Sequence, residues 1–304
     1  MRTTVGLIAG AVVVVHLIFL QAPLIPDEAG YYLVGKDLSF SGPNLYGHYW
    51  VDRPPGLIAI NALAAASGHL VTVRVLAALS AAGTVVLLAI ASYRSKGSPA
   101  LVAAMSAALL CAPTLETLNA TGEMFAAPWI ALSFLCVIAA VSPHSRRPLL
   151  LACGAGVAGT IAMSIKQNML DGAVFAAAVI ILSVGRREMP LRAGLRLAAA
   201  GLAGALIVLG AMVAFALATP AGVSGLWEAV VGFRAAASQV LFHSPPWDWF
   251  SLSTQNGNII RFQILMTLAV LSGIIPAYFL LAARAVRSRF RGSAVAWAAA
   301  LCLV

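Results

Sequence analysis

Apolar runs close to span length, broken by short polar clusters, recur along the whole chain. The first, VGLIAGAVVVVHLIFL, is interrupted only by His16 and gives way to IPDEAGYYLVGKDL. A hydrocarbon core about 30 Å thick takes about 20 apolar residues per helix, so this period predicts a stack of transmembrane helices. Spans are expected near residues 4–22, 71–93, 99–118, 124–142, 149–165, 168–184, 195–219 and 262–283, and a ninth begins at Ala294. Gly56 to Leu70 is also apolar, but at about 15 residues it falls short of a span. It begins behind Pro54-Pro55, so it is expected to lie on or re-enter the outer surface. The pattern thus predicts an all-α, polytopic membrane protein with one domain over 1–304. Its expected loops are a first outer loop at 23–70 and a late one at 220–258. The ninth run is cut at Val304, which suggests a fragment of a longer chain.

Composition agrees, with 61% hydrophobic residues, 10% charged residues and a mean hydropathy of +0.95. The net charge of +9 does not point to nucleic acid. Its basic residues fall between apolar runs, at Arg2, Arg94/Lys96, Arg146/Arg147, Arg186 to Arg196 and Arg284 to Arg291. The positive-inside rule places those clusters in the cytoplasm. Thirteen of the nineteen Lys/Arg then lie inside, and nine of the ten Asp/Glu lie outside. Acids contribute little to orientation, so their outward bias needs another cause, and an outer-face site built on carboxylates is one. Cys111, Cys136, Cys153 and Cys302 stand alone in apolar runs and read as neither disulfides nor metal ligands. The first run lacks a small-residue cleavage site and is expected to be a retained helix.

Several outer residues invite chemistry. Pro26-Asp27-Glu28 spells an ordinary helix N-terminus, with proline first and acids in the first turn. If the pair is catalytic, neighbours about 100° apart on a helix cannot both face one substrate. One acid would then act while the other holds it, Tyr31 or Tyr32. Arg53, in VDRPPGL, is an outer cation fixed by two prolines and suits a phosphate. Glu123 sits in a tight turn, LNATGEMFAAPW, and also reads as a solvated turn acid. Lys166, in SIKQN, sits at a near-loopless hairpin, where it either snorkels to water or meets a phosphate. Tyr49, His48, Asp52, Gln167 and His243 are candidate substrate contacts, while Trp247, Trp249 and Phe250 suit an interfacial belt. The charge pattern demands no divalent metal, although one is compatible with it.

In order and placement, PDEAGYY, DRPPGL, TGEMFAAPW and SIKQ resemble the membrane glycosyltransferases of the GT-C fold. The resemblance is to the family 39 group of protein O-mannosyltransferases and aminoarabinose-lipid A transferases, and it covers nearly the whole chain. It implies transfer of a sugar from a polyprenyl-phosphate-linked donor to a glycan, lipid or protein acceptor, typically with inversion. The site would lie on the outer face of a bacterial inner membrane. The resemblance matches Asp27 to the first-loop acid, with Glu28 in support, and Glu123 to the acid of the second outer loop. Arg53 and Lys166 match the cations on the donor phosphate. SIKQN departs from the family in carrying glutamine where many relatives have glycine. The competing reading is a transporter or lipid-linked-sugar flippase. That reading expects charge in mid-span and internal symmetry, whereas here the charges gather at helix ends and no repeat is visible. A noncatalytic assembly factor is the third reading, and it expects Asp27→Asn to be tolerated.

Overall fold

The computed structural model describes residues 2–38, 44–112 and 117–243. The runs expected at 262–283 and from Ala294 lie outside the described residues, as do Glu116, Trp247, Trp249 and Phe250. Among the described residues the regular structure is helical, with one isolated bridge between Leu45 and Tyr49. The helices are α1 (Arg2–Ile18), α2 (Pro26–Asp37), α3 (Pro55–Ala65), α4 (Val71–Arg94), α5 (Pro99–Leu110) and α6 (Gly122–Val141). They continue as α7 (Pro148–Ile165), α8 (Asp171–Gly185), α9 (Leu191–Leu217), α10 (Gly222–Trp227) and α11 (Phe233–His243). A π-helical turn, Glu228–Gly232, joins the last two.

Four of these, α4, α6, α7 and α9, are long and apolar enough to cross a membrane, and α1, α3, α5 and α8 are shorter apolar helices. The polar breaks fix the boundaries: Pro99, Pro148 and the Pro190 N-cap start helices where a missing N–H costs nothing. Two expected spans end early. Helix α1 stops at Ile18, and the carbonyls that follow turn toward Arg74. Helix α5 stops at Leu110, since Pro113 disfavours helical backbone at Ala112. The Thr117 hydroxyl donates to the Ala112 carbonyl at 2.9 Å. Within the outer loop expected from 220 to 258, residues 222–243 are helical.

A shared core of Val12, Ala81, Val85, Met124, Phe125 and Ile165 packs α1, α4, α6 and α7. Helices α7 and α9 meet backbone to backbone. A Cβ on Gly156 would stand 1.9 Å from the Gly201 carbonyl oxygen, and one on Gly204 would stand 2.0 Å from that of Cys153. Such small-residue crossings are how apolar helices associate without a hydrophobic drive of their own. One end of the bundle collects the end of α1, the starts of α4, α6 and α8, and the ends of α7 and α9. Helices α2 and α3 and the 222–243 segment pack on that end. Leu45, Tyr46 and Ile58 bury against Ala216, Leu226 and Ala229 there.

Candidate functional site

Pro26 opens α2 and puts Asp27 and Glu28 in its first turn, where their side chains part. Glu28 turns inward and is 1% exposed. Its Oε1 accepts from the Ala120 N–H at 2.6 Å and Arg74 Nε at 3.2 Å. Its Oε2 accepts from the Ile25 N–H at 3.1 Å and Arg74 Nη2 at 2.9 Å. A carboxylate has about four acceptor positions, and all are filled. Glu28, expected among the catalytic acids, therefore has no face open to a substrate and serves as an anchor. Arg74 directs its remaining N–H groups to the carbonyls of Phe19, Ala22 and Pro23, at 2.7, 2.6 and 3.0 Å. They lie in the turn that follows α1, where the Phe19 carbonyl also accepts from the Ala22 N–H at 3.1 Å. One buried pair thus ties α1, α2, α4 and the turn before α6 together.

Asp27 turns outward. It is exposed and makes no hydrogen bond or ion pair among the described residues. Tyr31 lies one turn further on, the spacing that puts two side chains on one helix face. The Arg53 guanidinium lies over the Tyr31 ring, 5.8 Å from its centre, within cation–π range. Burial pushes the Tyr31 hydroxyl up to about 12. Arg53 pulls against that shift, and the charges of Asp27 and Asp52 add to it. The phenol therefore keeps its proton at neutral pH and cannot serve as a base there. Asp27 is the open carboxylate beside it.

Asp52 is the hub of the cations. Its Oδ2 lies 2.5 Å from Arg53 Nη1 and 2.6 Å from Arg234 Nη2. Its backbone carbonyl accepts from Gln167 Nε2 at 3.1 Å. Local sequence sets this up. Pro54 and Pro55 are buried and begin α3, and Gly56 lets that start press on α7, where a Cβ would stand 2.5 Å from the Ser164 carbonyl oxygen. The Tyr46 hydroxyl donates to the Arg53 carbonyl at 2.8 Å, from a residue held at φ 68°. Left-handed backbone at a bulky residue stores strain, so neighbours must hold it. Here the Tyr46 N–H donates to the Tyr49 carbonyl at 2.8 Å. The π turn delivers Phe233 edge-on to Trp50 at 4.8 Å and Arg234 to Asp52.

Lys166 ends α7 in extended backbone, and its stem runs beside Gly122, whose missing Cβ would lie 3.6 Å from it. Its Nζ forms an ion pair with Glu123 in the first turn of α6. Lys166 and Gln167 are consecutive, as are Asp52 and Arg53, so the Gln167–Asp52 contact brings both cations into one neighbourhood. The other expected contacts stand further out. The Tyr49 hydroxyl donates to Asp37 at 3.3 Å. His48 is exposed and lines an open groove of about 660 Å³ with Asn44, Ser224 and Glu228. The side chain of His243 lies outside the described residues. Among the described residues no three His, Cys, Asp or Glu side chains gather as a metal ion would require.

Sequence reasoning passed over Arg74 and Arg234. Arg74 had a signal: it is the lone charge within VTVRVLAALSAAGTVVLLAIASY, and a charge so placed demands a partner. Arg234 falls in the expected outer loop and is as unexplained by the positive-inside pattern as Arg53. No family model, curated protein or solved structure matches the chain.

Proposed function

We propose that the chain is a GT-C-type glycosyltransferase. It would move a sugar from a polyprenyl-phosphate-linked donor to an acceptor hydroxyl at the outer face of a membrane. The observation that carries the reading is that an open carboxylate shares the Tyr31 face with Arg53, while Asp52 gathers Arg53, Arg234 and the residue next to Lys166, at one end of an apolar helix bundle. Asp27 is that carboxylate, and Arg53, Arg234 and Lys166 are the cations. Phosphate departure needs its developing charge met, and a hydroxyl nucleophile needs a base. In this reading Asp27 takes the acceptor proton as the acceptor oxygen bonds to the sugar's anomeric carbon. The bond from that carbon to phosphate breaks, and its electron pair leaves with the polyprenyl phosphate. Attack from the opposite face inverts the centre. Arg53 and Lys166 hold the departing phosphate, and Glu123 aims Lys166. Glu28 and Arg74 position the helix that carries Asp27.

The test uses membranes carrying the wild-type chain, Asp27→Asn or Lys166→Ala, supplied with polyprenyl-phosphate hexoses and pentoses labelled in the sugar. Wild type is expected to move label from one donor to a membrane acceptor. Asp27→Asn is expected to lower that rate about 100-fold or more at unchanged protein level, the range a positioned base supplies. Lys166→Ala is expected to abolish it. Near-normal transfer in both variants overturns the assignment. Label that crosses sealed vesicles with its sugar–phosphate bond intact would instead mark a transporter.

A further inference from the structure

Two guanidiniums converge on one oxygen, Asp52 Oδ2, at 2.5 and 2.6 Å. A guanidinium–carboxylate pair ordinarily uses both oxygens in a fork, and this crowding forgoes that geometry. Two polar atoms beside the hub are left unmet. Arg234 Nε and Gln167 Oε1 are buried and have no hydrogen-bond partner among the described residues. An unmet buried donor and an unmet buried acceptor are costly unless something else fills them. Neither Asp52 nor Arg234 is locked in: their side chains are 23% and 43% exposed.

We infer that Asp52 is a resident anion, holding Arg53 and Arg234 together until a phosphate group takes its place, and that Arg234 is a phosphate ligand. This rests on the polyprenyl-phosphate reading above. The donor diester has two terminal oxygens and the released monoester three, each able to accept more than one N–H, enough to meet both guanidiniums and to reach Arg234 Nε. Gln167 Oε1 then stands ready for a sugar hydroxyl next to that phosphate. The charge count agrees. A donor phosphodiester carries one negative charge, and the released monoester carries close to two. With Asp52 swung aside, two guanidinium charges match the leaving group as its second charge appears.

The rival role for Asp52 is a strut that merely aims the two arginines. The two roles differ in sign, so binding decides between them. The full chain in lipid nanodiscs is titrated with farnesyl phosphate, farnesol and inorganic phosphate. Wild type is expected to bind farnesyl phosphate and not farnesol. Asp52→Asn is expected to tighten binding about threefold or more, and Arg234→Gln to weaken it about tenfold or more. Arg234→Lys keeps the charge without the fork and is expected to lose less; it is the second variant if the glutamine form does not fold. Weaker binding in Asp52→Asn, or unchanged binding in both Arg234 variants, overturns the inference and leaves the transferase reading standing. No farnesyl phosphate binding by wild type overturns both. Inorganic phosphate bound as tightly as farnesyl phosphate supports the anion site and overturns its lipid source.

Discussion

Asp27 and Glu28 are neighbours in sequence and opposites in surroundings, because the helix turns about 100° between them. That much was legible from PDEAGYY, where only one of two adjacent acids could face a substrate. Which one was not legible, since the deciding partner, Arg74, lies 46 residues further on. Tyr31 belongs to the same face as Asp27, and its titration is a direct probe of that face. Its folded-state pKa stands near 12 against an ordinary 10.0, chiefly through burial. Folding therefore favours the neutral phenol. The stabilisation is fully present below about pH 10 and is lost as pH rises through about 12. For a half-buried ring the effect, discounted for solvent, is about 1 kcal/mol. Chemical unfolding of wild type and Tyr31→Phe from pH 8 to 12 should show wild type losing more stability across that window. Parallel curves would place Tyr31 in solvent and remove it from the site.

Among the helices, legibility followed length. Helices α4, α6, α7 and α9 fall within a few residues of the apolar runs that predicted them, because turn prolines and charged clusters bound those runs. The segment GLWEAVVGFRAAASQV has no run of span length, so the sequence placed it in an outer loop without giving its local form. Leu226, Ala229, Val230 and Phe233 fall at helical spacing; the first three pack in the cluster of Leu45 and Tyr46, and Phe233 meets Trp50. Arg234 reaches Asp52 because this segment is a helix, a form that the sequence reading of an outer loop left unspecified. The α7–α9 crossing was hidden, since glycines in an apolar run do not reveal which neighbour they meet. Its close approach predicts that Gly204→Val, forcing atoms into the Cys153 carbonyl, destabilises the chain by about 1–3 kcal/mol or more. Gly210→Val, on the same helix with open space around it, should cost well under half of that. Thermal melting in detergent compares the two, and equal losses would mean that the helices do not cross at Gly204.

Across the whole molecule, the site exists only because separate chain segments are pinned at one end of the bundle, and the Glu28–Arg74 pair is the pin. The order of PDEAGYY, DRPPGL, TGEMFAAPW and SIKQ at successive helix ends made their convergence legible. The order said nothing of what enforces it, because a buried ion pair is a three-dimensional match between residues that look unremarkable alone. Breaking a buried pair by removing one charge leaves the other stranded, at a cost of about 3–5 kcal/mol. Glu28→Gln should therefore lower the melting point sharply and reduce the folded yield. Arg74→Met should do the same and also strand the carbonyls of Ala22 and Pro23. Asp27→Asn, one residue away and exposed, should leave stability within about 0.5 kcal/mol of wild type while removing transfer. Measured side by side, the two acids then separate cleanly: one variant is folded and inactive, and the other fails by unfolding. A stable, well-expressed Glu28→Gln would show that the bundle end holds without its pin, and would return Glu28 to the list of groups that touch substrate.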